Sequence, residues 1–471
     1  MHVTDEASAL FQVRSLVEAG SLTVPRSTIG FTFYGQRDRH GRLRAPNGPL
    51  HAIALVPFYA LGKAIAVAPG VPDDSRDVVL TFAVVLSSAV FSALAAALFV
   101  TLLIRRDVPL QTALIVTLAV SLGTPLFAYS AWLFSEPLAT CLLIGAALCA
   151  FGGNGPAASA RAALAGASIG ACVLVRPAHA LMIPLFAAAV LVRDGRRAAV
   201  PALVLGGTAA IGPTIYLAWN AFQFGNPFDF GYPEIADGGK HINGFTTPLL
   251  TGLAGFLISP GKSVFVHAPL VLAAIPALPR LARVDRGLAC LAVAAPATYL
   301  IFYARYTQWE GGYCVGPRYL IPVLPFLLLS LAPALTDAGT TARRALLGLT
   351  VAGVCVQCLE LATSFLEDQF ASGYYDDRFD YRMTYAPLYS QSALFVHYAG
   401  SFIRGEPSSL GAGFDRWFFF LRKAGVSWWP IASAGAAAIG VAAVGGSLVI
   451  GSWKTSQRTR IALARRTQKT Q

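Results

Sequence analysis

Ionisable and aromatic side chains gather where apolar segments of this chain begin or end. Asp5 and Glu6 follow Thr4 near the start. An ionised carboxylate can take a proton, but an acidic pair after a Thr N-cap also simply favours a helix N-terminus. Ala7, Leu10, Phe11 and Val17 add an apolar stripe, so this helix is expected to lie on a membrane surface. Glu136, within Ser135-Glu136-Pro137, opens another apolar segment, where an exposed acidic residue and a first-turn proline are also ordinary. Arg176 lies between two short apolar segments. A charge at that depth is costly and usually partnered, so a functional site and a structural ion pair account for it equally. Lys262, in Ser259-Pro-Gly-Lys262, brings a cation to another segment start or only snorkels. The stretch from Arg305 to Arg318 is aromatic and glycine-rich. Its Trp309 and Tyr313 suit an interfacial belt, and Arg318 could meet an anion.

The elements that must position these residues are apolar. The 471 residues are 55% hydrophobic and 13% charged, against about a quarter charged in soluble domains. The charge deficit is spread along the chain, unlike a secretory signal ahead of a soluble domain. The net charge is +12. The basic residues sit mostly at segment ends, where membrane topology explains them better than nucleic acid does. Six of the seven cysteines, Cys141, Cys149, Cys172, Cys290, Cys355 and Cys358, lie in apolar runs, and Cys314 lies in a loop. They are expected to be small buried thiols and not a disulfide or metal framework. No glycine-rich phosphate loop, HExxH or GxSxG motif occurs, which argues against a nucleotide-binding domain and the common metalloproteases.

Together these features predict an all-α, polytopic transmembrane helical bundle of about eleven spans, with external loops and interfacial helices. The spans read are 77–104, 109–128, 132–151, 161–175, 178–192, 198–219, 263–281, 287–304, 318–335, 345–366 and 429–452. One set of connections collects Arg105-Arg106, Arg193 with Arg196-Arg197, Arg280 with Arg283 and Arg286, and Arg343-Arg344. The tail 453–471 adds Lys454, Arg458, Arg460, Arg465 and Arg466. That side is expected to be cytoplasmic. The opposite side then receives 1–76, 220–262, 305–317 and 367–428. Residues 50–66, apolar but interrupted by His51 and Lys63, either span or lie in the interface. Charge counting slightly favours a span. No repeat relates the two halves, which argues against many transporter designs.

The motifs in this order resemble the GT-C superfamily of lipid-carrier-dependent glycosyltransferases, and within it the protein O-mannosyltransferase and aminoarabinose-transferase type. The resemblance covers nearly the whole chain. Near the start it rests on Asp5-Glu6, Asn47-Gly48-Pro49-Leu50 with Pro57-Phe-Tyr59, and Ser135-Glu136-Pro137. It continues through Leu174-Val-Arg176-Pro177, Asn220 with Phe224-Gly-Asn-Pro-Phe228, Ser259-Pro-Gly-Lys262, Trp309-Glu-Gly-Gly and Gly316-Pro-Arg318-Tyr.

The resemblance implies an external acidic loop over 1–76 with 50–66 interfacial, a core over 77–366, an external loop over 367–428, a last helix over 429–452 and a cytoplasmic tail. It also implies a first helix ahead of the acidic pair, upstream of Met1. The implied activity is transfer of a hexosyl or pentosyl unit from a polyprenyl-phosphate donor to a hydroxyl of a glycan, lipid or protein, at the outer face of the cell membrane and with inversion. Asp5, with Glu6 beside it, would be the base. Arg318, Arg176 and Lys262 would face the leaving phosphate, Glu136 would orient the acceptor or an arginine, and Trp309 and Tyr313 would bind substrate. Membrane lipid surrounds the whole. No cofactor is assigned. A divalent cation stays open at Asp376, Asp377 and Asp380 in 367–428, though their spacing is not that of an ordered calcium loop. A lipid or polysaccharide transporter, a non-catalytic assembly subunit, and a glycan ligase or polymerase are the alternatives.

Overall fold

The computed structural model describes residues 4–24, 35–68, 73, 76–152, 158–232, 244–259, 261–312, 314–336 and 338–362. The expected loop 367–428, the span 429–452, the tail 453–471 and Tyr313 lie outside the described residues.

Helices dominate. In chain order they are α1 Thr4–Ala19, α2 Pro49–Ala66, α3 Arg76–Arg105, α4 Leu110–Leu122, α5 Pro125–Tyr129, α6 Glu136–Phe151, α7 Ala158–Val175, α8 Met182–Asp194 and α9 Ala199–Phe224. After them come α10 Leu249–Leu257, α11 Val264–His267, α12 Val271–Val284, α13 Arg286–Arg305, α14 Leu324–Leu328, α15 Leu331–Thr336 and α16 Thr340–Ala362. A two-stranded hairpin, β1 Gln36–Arg37 and β2 Leu43–Arg44, precedes α2.

Six helical segments among the described residues are long and apolar enough to cross a membrane: 49–66, 76–105, 158–175, 177–224, 286–305 and 340–361. The segment 177–224 is a hairpin, because α8 and α9 pack on each other. Its break is at Gly195, whose φ of 63° only glycine adopts readily. Helix α3 shows why composition marks a membrane protein. It buries Leu80, Ala83, Val84 and Ser87 on one side and exposes Val78, Phe82, Leu86, Val90 and Leu94 on the other. Both faces are largely apolar, as a helix between protein and lipid requires.

Three expected spans are broken. Residues 109–128 divide into α4 and α5 at Gly123, where Thr124 caps the new helix and Pro125 opens it. Residues 263–281 divide into α11 and α12, with Pro269 between them. Residues 318–335 form a 3-10 turn, Arg318–Leu320, followed by α14 and α15, and are almost wholly buried. Pro325 and Pro333 lack the N–H that would join these pieces into one helix. Broken backbone at membrane depth is tolerated where protein surrounds it.

Residues 50–66, expected to lie in the interface, fall within the 18-residue helix Pro49–Ala66, which is long and apolar enough to cross. His51 and Lys63 lie near its two ends, so they do not interrupt its middle. Helix α1 forms as expected but buries a different stripe. Glu6, Ala9, Leu10 and Val13 face inward, and Val17 is exposed. Of these, Ala9, Leu10 and Val13 join Leu55 and Tyr59 of α2, Leu80 and Val84 of α3, and Leu133. Packing on α2 and α3 fixes its rotation. Cys355 and Cys358, expected to be buried, are exposed on α16, which turns Gly353, Gln357 and Glu360 inward instead.

Candidate functional site

Glu136 stands at the first turn of α6, buried at 2% exposure. Arg318 Nε donates to Glu136 Oε1 at 2.6 Å, and an Arg176 terminal nitrogen lies 3.2 Å from the same oxygen. Arg318 also pairs with Asp5 Oδ2 at 2.8 Å. Residues 5, 136, 176 and 318 therefore form one network of two carboxylates and two guanidiniums. A buried carboxylate held by two arginines satisfies the requirement that buried charges be paired.

The surrounding elements fix this geometry. Arg176 precedes the 3-10 turn Pro177–Leu181 and takes extended backbone geometry where α7 ends. Its guanidinium lies over the Tyr319 ring at 5.4 Å. Arg318 begins the broken, buried segment and lies over Phe134 at 4.4 Å. Tyr319 stacks on Tyr303 with ring centroids 4.1 Å apart. Gly48 explains the Asn47-Gly48-Pro49 motif. A Cβ there would fall 2.1 Å from the Leu174 carbonyl oxygen, so only glycine lets the start of α2 approach the end of α7.

A cleft of about 350 Å³, open mouth included, is lined by Asp5, Asn47, His51, Arg176, Tyr232 and Arg318. Asp5 retains 33% side-chain exposure, whereas Glu6 is 1% exposed and its Oε1 accepts the Leu133 N–H at 2.8 Å. The two neighbouring carboxylates are thus separated. One faces the cleft, and the other ties α1 to the segment before α6. Burial raises the pKa of Tyr232 despite the pull of the Arg176 guanidinium, so its hydroxyl is a neutral hydrogen-bonding group.

Other expected site residues are placed elsewhere. Lys262 is 1% exposed, and its Nζ donates to the Cys314 carbonyl at 2.7 Å. It braces the loop that leads to Arg318 and is absent from the cleft lining. Trp309 is buried edge-on to Phe256, centroids 5.5 Å apart, and is likewise absent from the lining. His51, Asn47 and Tyr232 line the cleft although sequence reading did not single them out as site residues. For His51 the signal was a histidine at the start of an apolar run. Among the described residues no group of three His, Cys, Asp or Glu side chains is arranged to hold a metal. Asp376, Asp377 and Asp380 lie outside the described residues.

At the other end of α6 the Arg193 guanidinium lies over the Phe151 ring at 5.8 Å. There Asp285 meets Arg106 at 2.8 Å and Arg193 at 3.8 Å, and its Oδ1 caps α13 by accepting the Leu288 N–H. Three basic connections that alternate along the sequence therefore converge at one end of the bundle. The cleft lies at the opposite end of the 16-residue helix α6, about 24 Å away at 1.5 Å per residue.

No family model matches the chain, and no curated protein matches it.

Proposed function

We propose that the chain is an integral membrane glycosyltransferase of the GT-C type, which moves a sugar from a polyprenyl-phosphate donor to an acceptor hydroxyl at the outer face of a cell membrane. The observation that carries this reading is the convergence of Asp5, Glu136, Arg176 and Arg318 around a cleft, from four distant stretches of sequence.

In this reading the acceptor hydroxyl attacks the anomeric carbon. The new C–O bond forms as the bond to the carrier phosphate breaks, and the electron pair of that bond leaves on the phosphate oxygen. Asp5 takes the hydroxyl proton. The network begins with two negative and two positive groups, so proton transfer to Asp5 leaves one guanidinium charge unbalanced. That charge appears as the leaving phosphate gains its own negative charge, which is the complementarity a transition state needs. Glu136 holds both guanidiniums in place, and Glu6 anchors the helix that carries Asp5. Lys262 and Trp309 act through the loop that carries Arg318. The donor brings its own leaving group, so no nucleotide fold is required.

The basic cluster at the other end of α6 supports outward placement of the cleft, by the positive-inside rule. Transporters place ionisable residues near the bilayer midplane. Here they gather where α6 begins and α7 ends.

Purified protein in lipid nanodiscs, given radiolabelled sugars on a short polyprenyl phosphate and a mixed pool of membrane glycolipid, glycan and protein acceptors, tests the proposal. Release of polyprenyl phosphate coupled to labelled acceptor is expected. Movement of intact donor across the bilayer without cleavage would instead establish transport.

A further inference from the structure

A second cleft, of about 300 Å³ with its mouth included, adjoins the first, and Asn47 lines both. Its polar wall carries Gln12, Asn220 and Gln223, and its aromatic wall carries Tyr216, Trp219 and Phe230. Among the described residues, no Asp, Glu, Lys, Arg or His lines it. Gln12 is 3% exposed, and its Oε1 has no hydrogen-bond partner among the described residues. A buried amide oxygen without a partner costs free energy that a ligand hydroxyl can recover. The Asn220 amide is oriented already, since it donates to the Pro227 carbonyl at 3.2 Å.

The hairpin before α2 supports this wall. Arg39 N–H donates to the Gln223 carbonyl at 2.9 Å, and Arg44 lies over Trp219 at 5.9 Å. Asp38 neutralises Arg44, with a guanidinium nitrogen 3.0 Å from its Oδ2, so this nearby charge is already paired.

The chemistry selects a ligand class. Carboxamides both donate and accept, as sugar hydroxyls do. Aromatic walls suit the apolar faces of sugar rings. Among the described lining residues a charged ligand would lose hydration without meeting an opposite charge. Position adds the link to catalysis. Gln12 is seven residues after Asp5 on α1, hence on the same face and about 10.5 Å further along.

We infer that this second cleft binds an uncharged saccharide unit of the acceptor, so that the hydroxyl presented to Asp5 belongs to a glycan or glycolipid and not to a protein side chain. The inference rests on the glycosyltransferase reading for its second half only.

Full-length protein in nanodiscs, studied by saturation-transfer NMR against neutral hexose disaccharides, glucuronic acid and a Ser/Thr-containing peptide, provides the test. At least one neutral disaccharide should bind. Gln12→Leu, close in shape, should weaken it about fivefold to tenfold, the worth of one neutral hydrogen bond. Trp219→Leu should weaken it as well. Farnesyl phosphate, a probe of the first cleft, should bind all three proteins alike, which also reports that the variants are folded. Failure of every neutral disaccharide to bind, or binding indifferent to both substitutions, overturns the inference. So does preference for glucuronic acid or the peptide. Neutral-sugar binding that Gln12→Leu weakens, in protein that transfers no sugar, supports the saccharide cleft and removes the transferase reading. Sugar transfer to the peptide, unchanged by Gln12→Leu, keeps the transferase reading and removes the saccharide cleft.

Discussion

The two ends of α6 solve the same electrostatic problem for different purposes. At one end Glu136, 2% exposed, is held by Arg318 and Arg176. At the other, Asp285, 4% exposed, is held by Arg106 and Arg193. Each is one buried carboxylate between two guanidiniums. The difference lies in what the carboxylate and the arginines do besides pairing. Asp285 spends its other oxygen on capping α13, and its arginines come from connections between helices, so the cluster closes one end of the bundle. The arginines of Glu136 line a cleft, and one of them holds a further carboxylate, Asp5, that remains partly exposed. A buried ion-pair cluster alone is therefore no sign of function. A cluster that turns charge toward a cavity is a better one.

The sharpest way to break this comparison is Arg318→Ala. Loss of a charged donor to the leaving phosphate should lower kcat/KM for transfer by about 10²–10³-fold, measured with labelled donor at saturating acceptor. Arg318→Lys should recover only part, since lysine lacks the planar fork that serves Glu136 and Asp5 together. Unchanged turnover in Arg318→Ala would move the phosphate to Arg176.

Glu136→Gln and Asp285→Asn form the matched pair. Each removes the carboxylate that two guanidiniums share. Arg318 keeps Asp5 and Arg193 keeps Asp194, but Arg176 or Arg106 loses its ion pair, so each should lower unfolding stability by about 3 kcal/mol, the usual cost of breaking a buried pair. Thermal melts in nanodiscs should not tell them apart. Farnesyl phosphate affinity should, falling in Glu136→Gln and staying at the wild-type value in Asp285→Asn. An equal loss of affinity in both variants would erase the distinction between the two ends.

Much of the Glu136 end was legible in the sequence. Asp5, Glu136, Arg176 and Arg318 each stand at the edge of an apolar run, where a charge needs a reason. What sequence could not supply was how far each is buried. Glu6 and Asp5 are adjacent and chemically alike, yet the turn of α1 against α2 and α3 buries one and leaves the other in the cleft. Lys262 reads as a cation at a segment start and Trp309 as part of an aromatic, glycine-rich loop, and only packing shows that Lys262 holds the Cys314 carbonyl and Trp309 packs on Phe256. Gln12 left no periodic signal at all, since its environment is made mostly by α9, far away in sequence. Apolar content also hid the breaks in 109–128, 263–281 and 318–335. There the prolines and the Gly123-Thr124 pair were visible, but the hydropathy of the run outweighed them.

The smallest expected effect concerns the hairpin that flanks the second cleft. Burial alone would raise the pKa of Asp38. The Arg42 and His40 N–H groups and the Arg44 guanidinium outweigh it and hold the carboxyl below the usual range. A carboxyl whose pKa is depressed on folding stabilises above its unfolded pKa of about 3.9, and that contribution is lost as pH falls through the folded value. Asp38→Asn should therefore lower stability by about 1–2 kcal/mol at neutral pH. The gap from wild type should narrow in melts taken at progressively lower pH below 4, about the unfolded value. A gap that does not change with pH would mean that the carboxylate charge contributes nothing to holding the hairpin.

The most direct measurement is single-turnover transfer by Asp5→Asn, made in protein first shown to be active. Asparagine keeps the shape of Asp5 and removes the base, so the rate should fall by about 10²-fold or more. Farnesyl phosphate affinity should change far less, because Glu136 still orients both arginines. Full transfer activity in Asp5→Asn, with or without loss in Glu6→Gln, would contradict the assignment of Asp5 as the group that takes the acceptor proton.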